Sequence, residues 1–276
     1  MLDFNQCLSE ISKIKTKSYC LIIGGHGTNF ARSPKVWNKI LKKNRVNCKM
    51  MPLEVKKNNL KQLLRYLNKD TKFLGGAVAV PYKEKIYNYL GKNVDELTKK
   101  IGSVNCIYKD KTLKGINTDG IGFYETLKKN IINKRFKKVL LLGYGGTGKS
   151  ALVFLRKYFS KKTKIYFATR KNFSKEIKKL GCHWIKWNKK EDLLGSFNMI
   201  VNSTSIGFGK MENKTSCDLP KKNNIKIVYD IIYNPKKTLL LKNAKKLNIR
   251  GINGLDMNFF QAQFAIRKVF KKKFKS

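Results

Sequence analysis

One stretch constrains the fold of this chain more than any other: Val139-Leu140-Leu141-Leu142 followed by Gly143-Tyr144-Gly145-Gly146-Thr147-Gly148. An unbroken apolar run of this length lacks polar alternation and suits a strand covered on both faces, as in a parallel sheet. The glycines after it read G-x-G-x-x-G, and Ser150 to Phe159 predicts a helix. Strand, glycine turn and helix in that order open a βαβ unit able to take a dinucleotide. Gly143 permits the tight turn, Gly145 lets a pyrophosphate approach the backbone, Gly148 lets helix lie on strand, and the helix N-terminus offers free N–H groups to an anion.

The same residues also satisfy G-x-x-x-x-G-K-[ST] through Gly143, Gly148, Lys149 and Ser150, with Ile227 to Asp230 as a strand ending in a magnesium-binding acid. Both readings bind phosphate. The next strand-like run, Lys164 to Ala168, is followed by Thr169-Arg170-Lys171, where an NAD site places an acid and an NADP site a cation for the 2′-phosphate. No acidic residue occurs from Thr126 to Lys175.

Other strand-like runs lie at Tyr19 to Ile23, Met50 to Val55, Phe73 to Val80, Asn198 to Val201 and Lys226 to Ile232. Helical spacing of apolar residues appears after Pro34 and at Leu60, Leu63, Leu64 and Leu67; further helices are predicted at Lys236 to Leu247 and from Met257 to about Phe270. The pattern is α/β, with mostly parallel sheets. At 276 residues the chain predicts two domains: a βαβ substrate-binding and catalytic domain, 1–118, completed by 255–276, and a Rossmann-type domain, 119–254.

Charge excludes less than it suggests. The formal net charge is +44, but the 61 basic residues are 53 Lys and 8 Arg, spread along the whole chain. Arg is the residue that reads guanine and phosphate bidentately, so this bias points to compositional drift rather than to a nucleic-acid partner. A basic nucleic-acid-binding protein is the minor alternative. Six dispersed Cys without a C-x-x-C pair fit a reducing compartment, and two His, His26 and His183, leave little for a zinc site or a Ser-His-Asp triad; no metal is expected. No apolar run approaches a membrane span, and Asp3 and Glu10 stand where a signal peptide would be basic and then apolar, so a cytoplasmic protein is expected.

Chemistry outside the glycine turn falls to Val80-Pro81-Tyr82-Lys83, with a lysine just past a strand's C-terminal end, and to Asn117-Thr118-Asp119-Gly120. These join Arg32-Ser33-Pro34 with Asn38, Gly76-Ala77-Val78-Ala79-Val80-Pro81-Tyr82-Lys83, Ile101-Gly102-Ser103-Val104-Asn105, Asn202-Ser203-Thr204, Asp230-Ile231-Ile232-Tyr233-Asn234-Pro235 and Gly254-Leu255-Asp256-Met257 with Gln261. In this order the motifs resemble the shikimate dehydrogenase family.

The resemblance implies NADPH-dependent reduction of 3-dehydroshikimate to shikimate, on the route to aromatic amino acids. It implies that Lys83 and Asp119 form the catalytic pair, that Asn105 holds ring hydroxyls, that Ser33 and Tyr233 hold the substrate carboxylate, and that Gln261 reaches a hydroxyl. Gly143, Tyr144, Gly145, Gly146 and Thr147 would cradle the pyrophosphate. Thr169, Arg170 and Lys171 would meet the adenosine ribose phosphate, and Ile231 and Gly254 would border the nicotinamide of NADP(H). The partner implied is a small anionic substrate, with homodimerisation left open.

Departures gather in the substrate pocket. Ala31 stands where the family's Ser-x-Ser-Pro has its first serine. Ala77 and Ala79 stand where Asn-Val-Thr-Val-Pro has an amide and a hydroxyl, and Asp256 replaces a usual glycine. Arg32 offers a cation beside Ser33. These changes motivate the alternative substrate, quinate or another cyclic hydroxy acid.

Overall fold

The computed structural model describes residues 1–131, 135–173, 180–271 and 274. The chain forms two compact units, Met1–Thr118 with Gln261–Ser276, and Asp119–Phe260. The sequence placed the return to the first unit at 255. The division falls instead at Gln261, inside the closing helix Leu255–Phe270.

The first unit opens with α1 (Phe4–Ser12), capped by Asp3, whose side chain accepts from the N–H of Gln6. It continues with β1 (Ser18–Gly24), α2 (Ser33–Lys43), β2 (Cys48–Glu54), α3 (Leu60–Lys69), β3 (Phe73–Val78), α4 (Lys83–Leu90), α5 (Glu96–Ile101), β4 (Cys106–Asp110) and β5 (Thr112–Ile116). The sheet order is β2-β1-β3-β4-β5. β1 is parallel to β2 and β3, whereas β4 is antiparallel to β3 and β5. The sheet is therefore mixed, a correction to the mostly parallel sheet expected here.

Alternation along β1 builds two cores. Tyr19, Leu21 and Ile23 join Leu60, Leu63, Leu64 and Leu67 of α3 on one face. Cys20 and Ile22 join Trp37, Ile40 and Leu41 of α2 and Ala262, Ala265, Ile266 and Val269 of the closing helix on the other. A strand buried on both faces reads as a continuous apolar run for this reason. Asn38 on α2 fixes the helix to β2, its amide donating to the Met50 carbonyl at 2.9 Å and its Oδ1 accepting the Met50 N–H at 2.7 Å.

The second unit holds α6 (Asp119–Asn130), β6 (Lys138–Leu142), α7 (Gly146–Tyr158), β7 (Lys164–Thr169), β8 (Cys182–Lys186), β9 (Met199–Asn202), β10 (Ile227–Asp230), a helix at Leu239–Lys246 and β11 (Arg250–Ile252). Among the described residues its six-stranded sheet runs β11-β10-β9-β6-β7-β8, all parallel. Counted within the unit this is the doubly wound order, which reverses between β6 and β9; ligands of such sheets bind beyond the strand ends at that reversal. Leu140 and Leu142 of β6 face one core with Ile200 and Val228. The helix after β6 begins at Gly146, earlier than the Ser150 start expected from sequence. Glycine is a poor helix former, but packing overrides that preference here.

Candidate active site

In the first unit the loops after β1 and β3 are tied together at the strands' C-terminal ends. The Gly25 N–H donates to the Val80 carbonyl at 3.1 Å and the Ala79 N–H to the Ile23 carbonyl at 2.8 Å. Lys83 is the first residue of α4, and its carbonyl accepts the Val104 N–H at 3.0 Å, which sets it beside the segment carrying Asn105. Asn105 itself is buried. Its amide donates to Thr118 Oγ1 at 3.0 Å and to Gln261 Oε1 at 3.4 Å, and its Oδ1 accepts the Thr118 N–H at 2.7 Å. The fold thus brings Asn105 and Gln261, 156 residues apart, into one polar cluster. Thr118, at its centre, was not singled out from sequence as a contact. Ser33 stands apart at the start of α2; it is 7% exposed, and its hydroxyl has no hydrogen-bond partner among the described residues.

In the second unit Gly143 turns the chain with φ +93, a conformation L side chains rarely adopt, and donates its N–H to the Ala168 carbonyl at 2.9 Å. A Cβ on Gly148 would lie 2.7 Å from the Gly143 carbonyl oxygen, so the helix meets the turn only with glycine there. Nothing lies within 4 Å of a Cβ built on Gly145, and α7, which starts at Gly146, has no side-chain cap. Its first N–H groups are available to an anion. The Tyr144 ring lies against Phe167 and Phe173, with centroids 5.2 and 4.9 Å away. Thr147 Oγ1 donates to Asp119 Oδ2 at 3.3 Å, joining the turn to the first residue of α6. Thr169 ends β7, next in the sheet. Arg170 and Lys171 follow it, exposed and in no ion pair among the described residues.

The triphosphate-loop alternative does not survive this geometry. Ser150, whose hydroxyl would have to reach a magnesium ion, is fully buried and donates it back to the Gly146 carbonyl at 3.0 Å. Lys149 Nζ sits over the Tyr144 ring at 5.7 Å. Asp230, the candidate magnesium acid, has no exposed surface.

Asp230 instead organises the far side of the strand-order reversal. Its carboxylate accepts from Thr238 Oγ1 at 2.7 Å, from the Asn202 amide at 3.0 Å and from the Ile232 N–H at 3.1 Å. Asn202 Oδ1 accepts in turn from Thr204 Oγ1 at 2.7 Å. Burial pushes the Asp230 carboxyl up to about 6, against the pull of these hydrogen bonds. The loop after Asp230 carries Ile231 and Tyr233. Gly254 fits against it so closely that a Cβ would fall 1.8 Å from the Ile231 carbonyl oxygen, while its N–H donates to the Ile232 carbonyl at 3.0 Å. Asn202 and Asp230 occur in motifs noted from sequence, but their joint network was not legible there. Asp256, the replacement for a usual glycine, pairs with Lys129 at 2.9 Å.

A mixed α/β unit, followed by a doubly wound parallel unit with its glycine turn at the strand-order reversal, defines the class: a two-unit α/β protein whose second unit is Rossmann-type. Residues 23–107 match the family described as shikimate dehydrogenase substrate binding domain. Shikimate dehydrogenase (NADP(+)) of Carboxydothermus hydrogenoformans is 33% identical over 88% of this chain and 89% of its own length. That of Pelagibacter ubique is 35% identical over 88% and 90%. A solved shikimate dehydrogenase in complex with NADP+ superposes with a TM-score of 0.81 at 28% identity, covering 94% of this chain and 92% of the other. The chain belongs to the shikimate dehydrogenase family. Among the described residues no helix is long and apolar enough to cross a membrane.

Proposed function

We propose that this protein interconverts 3-dehydroshikimate and shikimate with NADP(H). Family membership at about one-third identity over most of the chain carries the reading. The second unit fits the cofactor on its own geometry. An uncapped helix follows an open glycine at 145, and two exposed cations, in no ion pair among the described residues, follow the neighbouring strand. Gly143 to Thr147 would hold the pyrophosphate, Thr169, Arg170 and Lys171 the ribose phosphate, and Ile231 with Gly254 would border the nicotinamide. When bound, NADPH supplies the hydride.

The residues of the chain handle position and proton. In this reading Lys83 gives a proton to the ring oxygen during reduction and takes it back in the reverse direction, with Asp119 as the second catalytic residue. Asn105 and Gln261, already sharing hydrogen bonds with Thr118, hold ring hydroxyls. Ser33 and Tyr233 hold the carboxylate. In this reading 1–118 with the chain from 261 binds substrate and 119–260 binds cofactor. The protein is cytoplasmic, as its free thiols suit, and takes a small anion rather than a specific nucleic acid.

The test is a cofactor-resolved assay of the purified protein. Shikimate with NADP+ should turn over, and Lys83→Ala should lower kcat by roughly 10²- to 10⁴-fold without lowering the unfolding temperature. Turnover only with quinate, or only with NAD+, would reject the reading.

A further inference from the structure

We propose that Glu54 is a positioning residue for substrate binding: from the end of β2 it clamps the loop between β1 and α2 through Thr28, and so holds Ser33 in place for the substrate. It acts through that loop and touches no substrate itself. The inference deepens the function proposed above and rests on it.

The loop has little to hold it in one shape. It leaves β1 as Gly25-His26-Gly27, with Gly27 at φ 72, and glycines of this kind leave the chain many conformations. From His26 to Arg32, Thr28 alone is buried. A short 3₁₀ turn, Thr28–Phe30, begins there with glycine at its cap position and so no cap from its own sequence. Glu54 supplies the missing acceptor from another strand: its Oε1 accepts the Thr28 N–H at 2.9 Å and lies 3.4 Å from Thr28 Oγ1. Among the described residues no other side chain hydrogen-bonds the segment from His26 to Arg32.

Both ends of the clamp are firm. Glu54 is paired with Gly24 in the β1–β2 register, and its carbonyl accepts the Leu2 N–H at 2.6 Å. The Thr28 methyl packs so close to the end of β1 that a Cβ on Gly24 would lie 2.5 Å from it. From Thr28 the chain runs to the helix through local bonds, the Ala31 N–H donating to the Thr28 carbonyl at 3.0 Å and the Val36 N–H to the Arg32 carbonyl at 3.1 Å. Ser33, the first residue of α2, follows directly, so a shift at Thr28 reaches it. In a chain with 61 cations and 17 acids, the Glu54 carboxylate makes no ion pair among the described residues; the N–H of this loop holds it instead. An N–H to carboxylate bond is roughly twice as strong as a neutral one. Without it the loop spends less time in the binding arrangement, and apparent substrate affinity falls in proportion to that fraction.

The test compares wild type with Glu54→Ala, Glu54→Gln and Thr28→Val. The kcat and KM are measured for shikimate and NADP+, shikimate binding by calorimetry, and amide exchange over 26–33 by mass spectrometry. Glu54→Ala should raise KM and Kd for shikimate about tenfold and speed exchange across the loop. The KM for NADP+ should not move, and kcat should fall far less than KM rises. Glu54→Gln keeps an acceptor oxygen and Thr28→Val keeps the N–H, so both should stay within about threefold of wild type. Should the Ala variant fail to fold, Glu54→Asp, which withdraws the oxygens by one methylene, carries the comparison and should also raise KM for shikimate. A wild-type chain that binds shikimate, with Glu54→Ala matching it, overturns the inference alone. So does a lower unfolding temperature with KM and loop exchange unchanged, since Glu54 would then serve stability only. A wild-type chain that neither binds nor oxidises shikimate overturns the proposed function and the inference with it.

Discussion

Asp230 shows how one buried side chain can carry both a cost and a role. Its carboxyl is raised from 3.8 to about 6 by burial, so between those values the folded protein keeps a proton that the unfolded chain has lost. The folded state therefore weakens as pH rises through that window: the cost is absent below about pH 4 and fully present above about pH 6, at about 3 kcal/mol. Asparagine at 230 cannot ionise. Denaturant unfolding at about pH 4 and pH 7.5 should show wild type losing 2 to 3 kcal/mol, as an order of magnitude, relative to Asp230→Asn. Equal changes in the two proteins would refute burial as the cause. Little of this was readable beforehand, because Asp230 looked like any acid ending a strand. Its burial depends on Asn202 and Thr238 arriving from elsewhere in the unit. The same holds for Asn105, whose motif was visible but whose partners Thr118 and Gln261 were not.

Among elements, β7 and the residues after it set cofactor choice in the proposed function. Arg170 and Lys171 have no protein counter-charge among the described residues, as suits side chains that await a phosphate. The double variant Arg170→Ala/Lys171→Ala should raise KM for NADP+ at least about tenfold and leave KM for NAD+ nearly unchanged. An equal rise for both cofactors would place these cations outside phosphate recognition. The glycine turn between β6 and α7 was legible because its signal is local: an apolar run, then glycines at fixed offsets. The β4–β5 hairpin was not. It turns at Lys111 with φ 61, so a lysine occupies a conformation that glycine or asparagine usually announces. Missing that hairpin is why the first sheet was expected to be mostly parallel.

For the molecule as a whole, the net charge of +44 is a field rather than a site. If it attracts anionic substrate and cofactor, kcat/KM for shikimate should fall several-fold between about 20 and 300 mM salt while kcat holds, because steering acts on encounter and is screened. A flat profile would make the excess background only. Binding to nucleic acid, if any, should vanish by about 150 mM salt. Periodicity and glycine spacing alone were enough for an α/β chain with a Rossmann-type half, since burial on both faces of a strand and a tight turn leave marks in neighbouring residues. The tertiary structure alone decided which polar groups would be satisfied and which left without partners: Asn105 met by Gln261, Asp230 sealed by Asn202 and Thr238, Arg32 Nη1 buried with no hydrogen-bond partner among the described residues. Desolvation and hydrogen bonding depend on residues far apart in the chain, and no local pattern encodes them.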